Sequence, residues 1–169
     1  LQDFTVVVDF AHTPGAYEQV FKTLIKLKPK GSKLIAVFGA PGERDREKRP
    51  MMGKTATRFC DFMVLTTDDP RHENPERIIG EITRGIRQDA QVWDGVTDWR
   101  SKGTWVIRIL DRGEAIAFAI QKLAKEGDIV VLLGQGHQKA MPFGDQEIPW
   151  SDQEAARVAP TGGVKKVGN

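Results

Sequence analysis

The sequence predicts an α/β domain: a doubly wound, mainly parallel sheet of about five or six strands, Rossmann-like, followed by a C-terminal hairpin. Short apolar runs rich in β-branched residues recur at positions 5–10, 34–38, 62–65, 105–109 and 129–133. Continuous runs of that kind mark strands buried on both faces. Most are separated by stretches of helical length, the alternation that builds parallel sheets with crossover helices. Several of the runs also end on Gly, Asp, His or Arg, as strands do when their carboxyl ends face a ligand crevice.

Thr5-Val6-Val7-Val8-Asp9-Phe10 is the first strand. Thr13 can cap the helix that follows and Pro14 suits its first turn. That helix is expected to reach about Lys28, with Ala16, Val20, Leu24 and Leu27 on its apolar face, before Pro29-Lys30-Gly31 ends it. The second strand, 34–38, runs into the glycine-containing stretch from Gly39 to Pro50, and the next helix is expected to begin near Lys48 or Met51. The third strand, 62–65, gives way to Thr66-Thr67-Asp68-Asp69-Pro70-Arg71. Asn74-Pro75 then opens a helix expected to reach Ile86, while 93–102 has no period and reads as a loop. After the fourth strand at 105–109, Asp111 caps a helix expected to continue to about Ala124. Glu126-Gly127-Asp128 turns into the last parallel strand, 129–133. A hairpin across 141–149 has Gly144-Asp145 as its turn, and Ser151-Asp152-Gln153-Glu154 reads as a capping box. Residues 1–160 are read as one domain and 161–169 as a flexible, basic, glycine-rich tail. Leu1 in place of Met, with a strand close behind it, reads as a segment of a longer polypeptide.

The 169 residues are 40% hydrophobic and 28% charged, with a formal net charge of only +2. Such a chain can bury a core. Its interleaved charges give no field for nucleic acid or a membrane surface, so neither is an expected partner. The lone Cys60 excludes an internal disulfide. With no signal peptide and no apolar run near the roughly 20 residues of a membrane span, the reading is a cytoplasmic domain.

Chemistry-bearing residues gather at four strand ends: Asp9 to His12, Gly39 to Arg49, Asp68 to Arg71, and Gly134 to Gln138. A parallel sheet carries these ends to one edge. Arg44 and Arg71 can each present a fork of donors to a carboxylate or phosphate, and Asp68 and Asp69 can receive an ammonium. Together they suit a zwitterion such as an amino acid. Two plainer readings stand beside this one: the Arg44 cluster is a solvated helix start, and Asp68 or Asp69 caps the following helix. Gly53-Lys54-Thr55 resembles the end of a P-loop, but Lys48 stands where that motif needs a glycine. Gly39 to Gly42 does not complete a dinucleotide fingerprint. His12 and His137 lack ligand spacing, so no metal site is expected, and no triad for covalent catalysis is recognisable.

Taken in order, Asp9-Phe10-Ala11-His12-Thr13-Pro14, Phe38-Gly39 through Gly42-Glu43-Arg44-Asp45 and Lys48-Arg49-Pro50, Asp68-Asp69-Pro70-Arg71, and Gly134-Gln135-Gly136-His137 resemble the C-terminal domain of the Mur ligases. The resemblance covers about residues 5–159 and is nearest to the UDP-N-acetylmuramyl-tripeptide synthetase branch. It implies an ATP-dependent amide ligase of peptidoglycan synthesis. In such a ligase a central domain, outside this chain, holds ATP and Mg and phosphorylates the carboxylate of a UDP-muramyl dipeptide. The amine of an incoming amino acid then attacks. By position, Asp9 and His12 match residues on the nucleotide side, while Arg44, Asp68, Asp69, Pro70, Arg71, Gly134 and Gln138 match the pocket for meso-diaminopimelate. Arg71 would pair with that amino acid's far carboxylate.

The chain departs from the family pattern where Asp69 replaces Asn and Gln138 replaces Glu, and also at Phe10, Glu43 and Gln135. Lysine or another diamine therefore remains open as the substrate. So do a sister ligase acting on folate-like or other cell-wall carriers, and a non-catalytic Rossmann-like binding module. The implied partners are the amino acid, the UDP-muramyl dipeptide and upstream domains of the same polypeptide. Alone, this domain is expected not to ligate.

Overall fold

The computed structural model describes residues 3–93 and 103–167. Strands β1 (Thr5–Asp9), β2 (Leu34–Phe38), β3 (Phe62–Leu65), β4 (Gln91–Val92), β5 (Trp105–Arg108) and β6 (Ile129–Leu133) form one sheet in the order β1-β6-β2-β3-β5-β4. Every pairing in it is parallel. A separate antiparallel hairpin, β7 (Ala140–Phe143) and β8 (Gln146–Pro149), follows, with Gly144-Asp145 as its two-residue loop.

Both faces of the sheet are covered, and the period-two alternation of strand side chains shows how. Along β2, Leu34, Ala36 and Phe38 enter one core, while Ile35 and Val37 enter the other. The first core is completed by α1 (Pro14–Leu27), α2 (Lys48–Phe59) and α3 (Pro75–Thr83), through Tyr17, Phe21, Met52, Ile78 and Ile82. The second is completed by α4 (Arg112–Phe118), a π-helical turn (Ala119–Leu123) and α5 (Asp152–Val158), with Trp105 and Trp150 fully buried in it. This is the doubly wound sheet with a C-terminal hairpin that the sequence predicts.

Helix starts follow the capping residues. Thr13 accepts from the Ala16 N–H at 3.2 Å, Asn74 from Glu76 at 2.8 Å and Asp111 from Glu114 at 2.9 Å. Each cap contributes about 1 kcal/mol. Ser151 accepts from Glu154 at 3.3 Å, but the Glu154 carboxylate pairs with Lys165, so only half of the capping box forms.

Other elements differ from expectation. The buried face of α1 carries Tyr17, Phe21 and Leu24, whereas Leu27 is 70% exposed. The two aromatic rings set the helix's rotation because they have the most area to bury. Helix α3 ends at Thr83, and Gly85 and Ile86 close tighter turns onto Ile82 and Thr83. The helix expected to reach Ala124 loses its α-helical pattern after Phe118, where Ala124 N–H bonds back to the Ala119 carbonyl. β4, a two-residue edge strand, was not anticipated, and the loop read at 93–102 lies, beyond Trp93, outside the described residues.

Gly53 sits inside α2, where a Cβ would collide with the Ile82 carbonyl. It serves the close approach of two helices rather than a phosphate. Residues 163–167, read from the sequence as part of a tail, run beside α4 and the π-helical turn: Gln121 donates to the Gly163 carbonyl at 3.2 Å and Val167 N–H to Asp111, the α4 cap, at 3.2 Å. No helix among the described residues is long and apolar enough to cross a membrane.

Candidate functional site

Because β1, β6, β2 and β3 are consecutive neighbours, their carboxyl ends share one stretch of sheet edge. The four polar clusters meet there. Gly134 N–H donates to the Asp9 carbonyl at 3.2 Å, and Gly42 N–H to the Asp69 carbonyl at 2.9 Å. The Phe10 ring lies 5.0 Å from that of His12 and 5.9 Å from that of His137. Two glycines are required by proximity: a Cβ at Gly39 would strike the Thr66 carbonyl, and one at Gly134, where φ is 106°, would strike the Asp68 carboxylate. The ends of β2 and β6 are thus packed by their bare backbones against the residues that follow β3.

Asp68 and Asp69 are bridged by one amide. The buried Gln135 donates through Nε2 to Asp68 Oδ1 and to Asp69 Oδ1, each at 2.6 Å. Burial pushes the Asp68 carboxyl up to about 6; Arg112 and Gln135 oppose this and Asp69 adds to it. Asp69 moves in the same direction, again chiefly through burial, with Gln135, Arg112 and Arg71 opposing. A neutral amide satisfies one oxygen of each carboxylate without cancelling either charge. The pair is therefore suited to a cation, and an ammonium can supply both the charge and the donors.

This environment has a consequence for stability. The folded-state value of Asp68, about 6, lies above the ordinary 3.8. The protonated carboxyl therefore favours the fold fully below the ordinary value, and that contribution is lost as pH rises through 6. Asp68→Asn is expected to make the protein about 1–3 kcal/mol more stable than the parent at pH 8. The advantage should vanish near pH 4. Urea unfolding at the two pH values measures it, and an equal difference at both would contradict the assignment.

The wall beside this pair is strained. Among the described residues, Glu43, Asp69 and Arg71 are the non-glycine residues with positive φ, at 53°, 42° and 52°. Such backbone costs on the order of 1–3 kcal/mol per residue, and clusters of it occur at ligand clamps. Hydrogen bonds to the hairpin hold the turn on one side: Arg71 N–H donates to the Pro142 carbonyl at 3.3 Å, and Gly144 N–H donates to the Arg71 carbonyl at 2.7 Å. On the other side Gly42 packs so closely on the Pro70 carbonyl that a Cβ would collide with it. Arg71 is half-buried, and its Nε–H has no hydrogen-bond partner among the described residues.

Two fully buried arginines brace the edge from behind. Arg49 donates to both oxygens of Glu73 at 2.9 Å, to Glu81 at 2.7 Å and to the Pro41 carbonyl at 2.9 Å. Hydrogen bonds from Arg49 and Arg46, respectively, hold the Glu73 and Glu81 carboxyls down to about 2. Arg112 forks onto Asp152 at 2.8 and 2.7 Å and reaches the carbonyls of Leu133 at 2.9 Å and Thr67 at 3.4 Å. Those carbonyls belong to the residues just before Gly134 and Asp68, so one side chain ties the two strand ends together.

Asp68, Asp69, Pro70, Arg71 and Gly134 are thereby brought together. Gln138, half-buried, joins through its N–H to the Gln135 carbonyl at 3.0 Å. Asp9 and His12 stand at the β1 end of the edge, where Asp9 accepts from Ala11 N–H at 2.7 Å and His12 Nδ1 pairs with the Phe10 carbonyl at 2.9 Å. Arg44 is exposed on the β2–α2 loop and makes no hydrogen bond or ion pair among the described residues; its neighbour Glu43 makes the contact to the Arg71 turn, through His72 at 3.0 Å. The sequence reading assigned no role to Gln135, Arg49, Arg112 or His72. Gln135 carried one signal, its place in the glycine-flanked strand end, but the bridging role needs the fold. Among the described residues no group of three or more His, Cys, Asp and Glu side chains is arranged to hold a metal ion.

Relatives of known name share this framework. A family model described as "Mur ligase, glutamate ligase domain" matches residues 1–136. The chain is 46% identical over 154 residues to the UDP-N-acetylmuramoyl-L-alanyl-D-glutamate--2,6-diaminopimelate ligase of Aquifex aeolicus, covering 91% of this chain and 28% of that protein. It is 42% identical over 158 residues to the UDP-N-acetylmuramyl-tripeptide synthetase of Roseiflexus sp., covering 94% and 29%. A solved structure of a ligase with the same name as the Aquifex protein superposes with a TM-score of 0.79 at 37% identity, over 95% of this chain and 30% of that one. The chain thus spans about three-tenths of the length of the relatives it matches. The family match over most of the chain, on a doubly wound sheet whose strand ends converge as described, shows that this chain belongs to the Mur ligase family.

Proposed function

We propose that this chain is the C-terminal, amino-acid-binding domain of an ATP-dependent amide ligase. The ligase adds a diamino acid, meso-diaminopimelate, to UDP-N-acetylmuramoyl-L-alanyl-D-glutamate in cytoplasmic peptidoglycan synthesis. The observation that carries this reading is Arg71: a half-buried guanidinium with an unpaired Nε–H, on a strained turn that continues directly from the Asp68–Asp69 pair. A donor fork and two carboxylates in one crevice match the carboxylate and ammonium groups of such an amino acid.

The work of this chain is to bind and orient the nucleophile. Arg71 takes the far carboxylate and the Asp68–Asp69 pair takes an ammonium, while Gly134 allows the substrate to approach the β6 strand end closely. ATP supplies the phosphoryl group that activates the acceptor carboxylate. It is held, with Mg, mainly by a central domain outside this chain. On this side of the cleft, Asp9, His12 and the exposed Phe10 form a polar and aromatic ledge suited to a nucleotide. Arg44 lines the outer approach.

A second reading has lysine or another diamine as the substrate. It is favoured by Asp69, which puts a second carboxylate beside Asp68, and by the neutral side chain of Gln138. One assay addresses both: the full-length ligase with ATP, UDP-muramyl dipeptide and a panel of meso-diaminopimelate, lysine, ornithine and glutamate. Amino-acid-dependent ADP release is expected, with the highest kcat/KM for meso-diaminopimelate. A preference for lysine or ornithine would select the second reading, and no ligation with any amino acid would overturn both.

A further inference from the structure

The turn that presents Arg71 is clasped at one point by a side chain with two acidic partners. His72, the next residue, places Nδ1 3.0 Å from Glu43 Oε1 and Nε2 2.9 Å from Asp145 Oδ1. Glu43 lies on the β2–α2 loop and Asp145 in the hairpin loop, so the ring spans the two elements that flank the turn. The same elements already hold it. Arg71 exchanges backbone hydrogen bonds with Pro142 and Gly144, Gly42 N–H donates to the Asp69 carbonyl at 2.9 Å, and the Glu43 N–H donates to the Glu73 carboxylate at 2.6 Å. Glu73 is anchored in turn by the buried Arg49. Two of the three strained non-glycine residues, Glu43 and Arg71, are thus one bond or one residue away from His72.

We propose that His72 is a positioning residue for Arg71: in its imidazolium form it fastens the β2–α2 loop to the hairpin and fixes the left-handed turn from which Arg71 reaches the substrate carboxylate. This rests on the reading of Arg71 as that carboxylate's receptor. Only an imidazolium donates from both ring nitrogens; a neutral ring facing two carboxylates must turn a lone pair toward one of them. The charged groups facing the ring are Glu43 from the loop and Asp145 from the hairpin, with Glu73 and Arg71 adjoining on its own segment. Hydrogen bonds to Asp145 and then to Glu43 raise the His72 pKa above its ordinary value of 6.5. The clasp is therefore closed at low pH and released as pH rises through that raised value.

The test is steady-state kinetics of the full-length ligase between pH 6.5 and 9, reading KM for the amino acid and KM for ATP separately. Relative to His72→Gln, the parent should show a rise in amino-acid KM of about fivefold across this range, the size expected of an exposed charge pair. KM for ATP should show no such difference. His72→Lys, charged throughout the range, should keep the low KM to higher pH, and Asp145→Asn should flatten the profile as His72→Gln does. Parallel profiles for the parent and His72→Gln would overturn the proposal if Arg71→Ala still raises amino-acid KM. An unchanged KM in Arg71→Ala would instead remove the carboxylate-receptor reading, and this proposal with it.

Discussion

Arg112→Ala is expected to lower folding stability by about 3–5 kcal/mol, the range found when one partner of a buried ion pair is removed. Both members of this pair, Arg112 and Asp152, are fully buried, so the truncated protein would keep a carboxylate sealed from water, and among the described residues only the Trp150 indole N–H, at 2.8 Å, would remain as a side-chain donor to it. The Leu133 carbonyl loses its guanidinium donor as well. Burial opposes the charge on Arg112, and the attraction and hydrogen bonds of Asp152, together with the charge of Asp68, outweigh it. Arg112→Lys retains charge but cannot form the two-pronged contact, and should fall between the parent and the alanine variant. Equilibrium urea unfolding measures all three, and a loss below about 1 kcal/mol for Arg112→Ala, the size of an exposed pair, would contradict the description of a sealed one.

Arg71→Ala is expected to raise KM for meso-diaminopimelate in the full-length ligase by at least about thirtyfold, since cutting one partner from a desolvated charge pair costs about 2–5 kcal/mol. Alanine and arginine both carry a Cβ, so the substitution neither relieves nor adds to the strain of the φ of 52°. Stability is thus expected to change little, because Arg71's side chain has no ion pair among the described residues and its backbone bonds to Pro142 and Gly144 survive the substitution. A large kinetic loss with small stability loss distinguishes a binding side chain from a structural one.

Different parts of the molecule were legible in the sequence to different degrees. The central strands were plain because a parallel strand buried on both faces is an unbroken apolar run: Ile129–Leu133 was read with the bounds it has. Gln91–Val92 was missed because an exposed, two-residue edge strand carries no pattern of its own and exists only by pairing with β5. Helix α1 was placed with Ala16, Val20 and Leu24 against the core as read, but Leu27 is exposed, and the fully buried Tyr17 and Phe21 were not singled out because a period of apolar letters does not weigh side-chain area. The convergence of Asp68 to Arg71 with Gly134 could be inferred from topology, because the order of parallel strands fixes which ends lie on one edge. What braces that edge could not be. Arg112 and Asp152 are 40 residues apart, and an arginine within a helix looks like a solvated charge until the fold closes around it. The amide bridge of Gln135, and the clasp of His72 between Glu43 and Asp145, are likewise products of tertiary contact.

In the proposed ligase, Arg71 reads the carboxylate by which meso-diaminopimelate differs from lysine, while Asp68 and Asp69 hold an ammonium that both possess. The measurement that isolates it is the ratio of kcat/KM for these two amino acids in the full-length ligase and in its Arg71→Ala variant, under identical conditions. The parent should favour meso-diaminopimelate, and Arg71→Ala should lose about thirtyfold or more of that preference while lysine use changes by less than about threefold. An equal loss for both substrates, or a preference that survives the substitution, would contradict it.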